Sequence, residues 1–303
     1  MRKRTTHSQY EGKFAKPRHR SGKSAVLIVM LAFLALVLIS LVGWMAHIVL
    51  AQKKYERLSA RVENAATATV GPWASEATPV PPEPTVSGET TEPEETKPEE
   101  TEPVILEKYR ALYEENEDMV GWLKIDDTRI DYPVMYSPLD PEKYLHADFD
   151  GNYFFGGVPF VDANCTMDSD NLLIYGHNML DGSMFRSLIQ YENRSYWEKH
   201  PTIRFDTIYQ EQEFEVLAAF YDRVYRQTEE DVFKFYKFID VEDAADFDNA
   251  IAQFREKALY DTGVTANYGD QLITLVTCAY HVENGRFVVV ARRMEPERGS
   301  IDG

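Results

Sequence analysis

Cysteine is scarce in this chain: Cys165 and Cys278 are the two in 303 residues. That count excludes a disulfide framework, and a single bridge is not expected, because a core of this size holds without one. The CxxC, HExxH and EF-hand spacings are missing, so no structural or catalytic metal is supported and no cofactor is implied. No glycine-rich loop follows a strand-like run, and Gly22-Lys23-Ser24 lacks the upstream glycine a phosphate cradle needs. Positive charge is also in deficit, with 32 Lys and Arg against 50 Asp and Glu. Residues 104–303 carry a net charge of −19, which excludes a nucleic-acid partner. An acidic surface of that kind serves solubility and is compatible with amine-bearing partners.

Uncharged apolar runs of membrane length are rare too, but there is one. Residues 25–50 form 26 positions without a formal charge, rich in Leu, Val, Ile, Ala and Met. At about 1.5 Å per residue they make roughly 39 Å of helix, enough to cross a hydrocarbon layer of about 30 Å with some tilt. A cleaved signal peptide is the alternative, but its apolar region is shorter and ends in a small-residue site. Upstream, residues 1–24 hold eight Lys and Arg against Glu11 alone. The positive-inside bias therefore assigns a cytoplasmic head, a transmembrane anchor over 25–50 and an outward-facing remainder.

Residues 51–103 read as a juxtamembrane segment followed, from Asn64, by a stalk of Thr, Pro, Glu and Ala. Nine Glu oppose one Lys there, and almost nothing is apolar. Such a segment buries too little surface to offset its ordering entropy. Extended at about 3.1 Å per residue, the stalk would reach up to ~120 Å from a bilayer.

From residue 104 onward the pattern is that of one globular domain. Residues 104–117 place apolar and aromatic positions near helical spacing and predict an amphipathic helix. Strand-like runs follow at 121–125, 130–134, 158–162, 171–175, 202–206, 213–221, 272–277 and 286–292. Between the last two pairs, residues 241–259 predict a helix, with Asp240 as N-cap and Arg255 and Lys257 near its end, matching the helix dipole. The sum is a mostly β, mostly antiparallel domain, a closed barrel with peripheral helices.

The chemistry concentrates in three places. Thr274-Leu275-Val276-Thr277-Cys278 ends an apolar run on a thiol. Arg286 opens the next run eight residues later, so a short connection would bring a cation beside the sulfur and favour the nucleophilic thiolate. Tyr175-Gly176-His177-Asn178-Met179 ends an earlier run on an imidazole, with Gly176 expected to let the chain turn sharply. Thiol, imidazole and guanidinium suffice for acyl transfer, the Cys attacking, the His moving the proton and the Arg stabilising the oxyanion. Each also has an ordinary reading, as a core Cys, a solvated loop His or a surface Arg. His281 is a second imidazole close to Cys278, and Cys165 sits in an expected loop as an incidental thiol.

These residues carry a family resemblance. Thr-Leu-Val-Thr-Cys278 with Arg286 before Phe-Val-Val-Val-Ala, and Tyr-Gly-His177-Asn-Met-Leu-Asp-Gly-Ser-Met-Phe, resemble the sortases. The Tyr-Gly-His-Asn-Met form and the helix at 241–259 are similar to class B, and the likeness spans residues 105–293. The resemblance implies a sortase-type barrel and an extracellular cysteine transpeptidase of a Gram-positive envelope, built on residues 104–303. Cys278 would form a thioester with a secreted protein cleaved after Thr in its C-terminal sorting signal. His177 would be the general acid/base and Arg286 the oxyanion partner, with Thr277, Val276 and Asn178 as substrate-contact candidates. The product would pass to an amine of a cell-wall precursor. Class B commonly has Ser where Val276 stands and an acid soon after the Cys, so its sorting motif does not carry over. Two alternatives remain at this level: a pilin-polymerising sortase that uses a Lys of another subunit as acceptor, and a stalked binding module with an inactive sortase fold.

Overall fold

The structure is a computed structural model that describes residues 22–69 and 103–295. Residues 1–21, most of the basic head, and 70–102, most of the stalk, lie outside the described residues.

The first element, α1, is the helix Gly22–Thr69. The described residues contain one helix long and apolar enough to cross a membrane, and this is it. The chain divides into two units at Ala51 and Gln52. In the first unit, side chains such as Leu31, Phe33, Leu36 and Ile39 are all exposed. A helix surface this apolar and this exposed suits lipid rather than a protein core. In the second unit, residues 52–69 bury Tyr55, Leu58 and Val62, spaced three and four apart, against the globular domain. Asn64 to Thr69, which composition assigned to the stalk, are helical here. Ala65, Ala66 and Ala68 favour a helix intrinsically, and packing one turn earlier holds the helix they extend.

The domain is a closed eight-stranded barrel. Its strands are β1 (Met119–Lys124), β2 (Asp131–Met135), β3 (Phe160–Val161), β4 (Asn171–Tyr175), β5 (Thr202–Thr207), β6 (Glu213–Arg223), β7 (Leu272–Cys278) and β8 (Gly285–Arg293). The order around the barrel is β1-β2-β3-β4-β7-β8-β6-β5. Pairings β2 with β3 and β4 with β7 are parallel, and the rest are antiparallel. Before β1, α2 (Glu107–Glu115) buries Tyr109 and Leu112, with Tyr109 stacked on Trp122 at 6.4 Å. It is shorter than the pattern predicts, because Leu106 N–H donates to Ile208 C=O and holds the preceding segment extended. A single-turn helix, α3 (Arg194–Trp197), precedes β5.

Strands β7 and β8 are nearly continuous apolar runs because both their faces are covered. One face fills the barrel. Over the other lies α4 (Ala244–Lys257), which presents Phe247, Ala250, Ile251 and Phe254 to Phe220, Val276, Val288 and Val290. Burying each large side chain there contributes about 1.5–3 kcal/mol. The helix begins at Ala244 rather than Val241, and its N-cap is Asp243, which accepts from Asp246 N–H at 3.0 Å. Asp240, expected as the cap, instead accepts from Ser169 Oγ at 3.2 Å and Asp170 N–H at 3.1 Å. A tertiary contact has taken the carboxylate that local sequence offered to the helix.

Candidate active site

Cys278 is the last residue of β7 and faces Arg286 directly across the antiparallel β7–β8 ladder. Residues opposite one another in such a pair point to the same face. Val276 and Val288, also paired, lie in the core under α4, so Cys278 and Arg286 continue that outer row beyond the helix. The thiol is half-buried. Asp222 of β6 pairs with Arg286 from the other side, giving a row of carboxylate, guanidinium and thiol across three strands. Asp222 is buried, accepting from Tyr225 Oη at 2.6 Å and meeting Lys257 Nζ at 3.2 Å. Arg286 Nη1 donates to Gly285 C=O, at the start of β8, at 3.0 Å and to Asn284 C=O, in the β7–β8 turn, at 3.3 Å.

His177 reaches the same end of the barrel from β4. Strand β4 runs parallel to β7, with Tyr175 opposite Val276 and Gly176 N–H donating to Val276 C=O at 3.1 Å. Gly176 does not have positive φ. It is required for space, because a Cβ there would sit 2.6 Å from the Phe185 ring. Two side chains then tie this segment to β7: Thr277 Oγ1 donates to Gly176 C=O at 2.7 Å, and Asn178 Nδ2 donates to Cys278 C=O at 2.7 Å.

The His177 ring lies nearly parallel to His146 at 5.5 Å and to Phe155 at 6.3 Å. Its Nε2 is 2.9 Å from Leu145 C=O. A carbonyl only accepts, so Nε2 carries the hydrogen, and in the neutral ring Nδ1 is the basic nitrogen. Burial pushes the His177 pKa below its ordinary value; the Leu145 carbonyl opposes that shift and the neighbouring His146 adds to it.

A groove of about 330 Å³ opens beside Arg286, walled by Leu145, Phe160, Tyr175, Phe235 and Tyr236. Leu145 thus belongs to both parts of the site, lining the groove and accepting from His177. Tyr175 is held neutral, its pKa raised by burial and by Asp162, which accepts its hydroxyl hydrogen. An apolar, aromatic groove ending in a fixed cation suits an extended peptide whose backbone carbonyl needs a donor.

The three substrate-contact candidates have other engagements. Val276 is 1% exposed and packs in the core under α4, so its side chain has no free face for a peptide. Thr277 and Asn178 are buried, and their polar atoms join the His177 segment to β7. His281 is exposed in the β7–β8 turn and packs against Tyr221 at 4.7 Å. Tyr221 pairs with Phe287, one residue out of phase with Arg286, so that imidazole leans on the opposite face of the sheet from the thiol row. Cys165 is 1% exposed in the β3–β4 connection and donates to Asn171 C=O at 3.7 Å. Asp222 and the Leu145 carbonyl were missed by sequence reasoning. A strand-end Asp has no local mark of a partner far along the chain on the neighbouring strand, and a backbone carbonyl has none at all. Among the described residues no group of three or more His, Cys, Asp or Glu is placed to hold a metal.

Comparison with known proteins bears on the family and the fold. A family model described as the sortase domain matches residues 123–294. Sortase B of Listeria monocytogenes is 35% identical over 191 residues, covering 61% of this chain and 73% of that protein. Sortase B of Staphylococcus aureus is 31% identical over 189 residues, covering 61% and 74%. Among solved structures, sortase B from B. anthracis superposes with a TM-score of 0.56 at 29% identity, covering 63% of this chain and 86% of that one.

Proposed function

The chain belongs to the sortase family of cysteine transpeptidases and is class B-like, and we propose that it cleaves a C-terminal sorting signal after Thr and joins the released protein to an amine of a cell-wall precursor. His177, neutral at rest because it is buried, takes the Cys278 proton at Nδ1. The sulfur adds to the scissile carbonyl, and Arg286 stabilises the oxyanion. The C–N bond then breaks, the leaving amine takes the proton from His177, and a thioester remains. The acceptor amine attacks, returns a proton to His177, and the C–S bond breaks to restore the thiolate.

One observation carries this reading: the β7–β8 register sets Cys278 opposite Arg286, while Asn178, the residue next to His177, donates its amide to the Cys278 carbonyl. The apolar groove beside Arg286 supports a peptide substrate. The exposed apolar stretch of α1 and the basic head support an anchored enzyme with its N-terminus cytoplasmic and residues 104–303 extracellular, where both substrates emerge.

The test is a screen of Thr-containing C-terminal pentapeptides, with and without small amines, read by mass spectrometry. The expected result is cleavage after Thr, an enzyme adduct of thioester mass, and an amine-capped product that grows with amine concentration. Cleavage that persists in Cys278→Ala would overturn the proposal.

A further inference from the structure

The stretch of α1 from Gln52 to Glu63 makes specific contacts with the segments that hold His177. Tyr55 is 3% exposed, and its ring meets Tyr132 edge to face at 5.3 Å. Tyr132 Oη accepts from Met184 N–H at 3.1 Å. Met184 has φ +51 and ψ −131, a conformation that costs a non-glycine residue about 1–3 kcal/mol and persists only where its surroundings hold it. It is bridged to Asn178, whose side chain grips the Cys278 carbonyl, and the next residue, Phe185, donates its N–H to His177 C=O at 2.9 Å.

A second contact runs from the same tyrosine. Tyr55 Oη donates to Gly157 C=O at 3.2 Å. Gly157, at φ +56, is pressed so closely against residues 144 and 145 that a Cβ would lie 2.6 Å from Leu145 O, the atom that receives His177 Nε2. Gln52 adds a third contact, donating to Asp181 Oδ2 at 3.4 Å, while Asp181 Oδ1 accepts from Ser183 N–H and Oγ within the loop that follows His177. Tyr55 thus touches, through one intermediary each, the loop that carries His177 and the carbonyl that orients its ring.

We propose that this juxtamembrane stretch of α1 is part of the catalytic unit, with Tyr55 and Tyr132 as positioning residues for the His177 loop. The inference rests on His177 as the general acid/base. It also places the start of the functional enzyme near Gln52 rather than at residue 104, where the compositional boundary falls. Displacing a catalytic group by about 1 Å lowers turnover by as much as ~10²-fold, so the effect is expected in kcat.

The experiment uses the full chain in detergent, assayed with a cleaved peptide from the screen at a temperature where every variant is folded. Tyr55→Ala is expected to lower kcat about 10-fold with KM within about twofold, and Tyr55→Phe to restore most of it. Tyr132→Phe keeps the ring and removes the acceptor of Met184 N–H, so it should lower kcat severalfold without unfolding the barrel. Arg61→Ala, on the same helix as Tyr55, breaks only an exposed ion pair with Glu115 of α2 and is expected to leave kcat unchanged. The His177 ring resonances should titrate differently in Tyr55→Ala and Tyr132→Phe from the parent. If both tyrosine variants keep full kcat and the parent titration while His177→Ala is inactive, the positioning role is overturned alone. Full kcat in His177→Ala would overturn the assignment of His177 itself.

Discussion

Cys165 and Cys278 are chemically identical side chains whose surroundings separate them. The Cys165 sulfur is sealed between β3 and β4, and burial pushes its pKa up to about 11, so it stays a protonated thiol that donates to Asn171 C=O. Cys278 stands half-exposed at the end of β7, with a guanidinium across the ladder and an apolar groove beside it. A thiol becomes a nucleophile through access and nearby positive charge. Position in the barrel, rather than residue type, divides the two.

The strongest way to break the contrast is to remove each sulfur in turn. Cys278→Ala is expected to lower peptide cleavage by at least about 10³-fold, since the covalent step is lost, while Cys165→Ala stays within about twofold of the parent. Activity lost in the second variant and kept in the first would invert the assignment. Labelling is a smaller but direct measure. An iodoacetamide-type reagent followed by peptide mapping should modify Cys278 about 10²-fold faster than Cys165 in the folded chain, and both alike in urea. Equal slow labelling without urea would remove the case for an activated thiol.

Arg286 tests the cationic side of the comparison. Arg286→Ala should lower kcat/KM by about 10²–10³-fold, as loss of an oxyanion donor does, and Arg286→Lys should recover part of it, because an ammonium keeps the charge but not the planar fork. If Arg286→Ala retains parent kcat/KM, the guanidinium is a structural strand charge.

Much of this arrangement is legible in the sequence, and the remainder fails for identifiable reasons. Strand β4 falls at Asn171–Tyr175, as the pattern predicts, and β7 and β8 fall within one residue of expectation, because short apolar runs between polar residues mark strands locally. The short β7–β8 connection implied that Cys278 and Arg286 would meet. Side-chain direction was not legible: Val276 points into the core beneath α4, and no local pattern announces a helix packing over a strand from elsewhere in the chain. Nor was the use of Asn178, whose amide holds a carbonyl a hundred residues away. The reach of α1 to Thr69 was hidden because residues 51–69 look polar and mixed until their Tyr55, Leu58 and Val62 face is seen against the barrel. Long-range partners decide these cases, and single-sequence patterns carry only local ones.

The pH dependence of stability sharpens the comparison through His177. Its pKa in the folded chain lies below the ordinary 6.5, because burial disfavours the charged ring. Between the folded value and 6.5 the unfolded chain binds more protons, so stability rises with pH across that window. The His177 contribution is complete above about pH 6.5 and is lost as pH falls through 6.5 toward the folded pKa. Melting temperatures of the parent and His177→Gln, measured from pH 7.5 to 5, should converge on acidification. Parallel curves would mean that the ring is not held neutral by burial.

The smallest expected effect separates two acids three residues apart in sequence, one belonging to each thiol's neighbourhood. Asp243 caps α4, the helix that covers the Val276 and Val288 row leading to Cys278. Asp240 instead holds Ser169 and Asp170, in the turn that seals Cys165. Asp243→Ala should destabilise the domain by about 1 kcal/mol through an unpaired helix N–H, without exposing the buried thiol. Asp240→Ala should cost a similar ~1 kcal/mol and also speed Cys165 labelling severalfold, because the loop loses two of its fastenings. Labelling at Cys165 that is faster in Asp243→Ala than in Asp240→Ala would reverse the roles given to these carboxylates. It would also show that α4, rather than the 166–170 turn, keeps the second thiol silent.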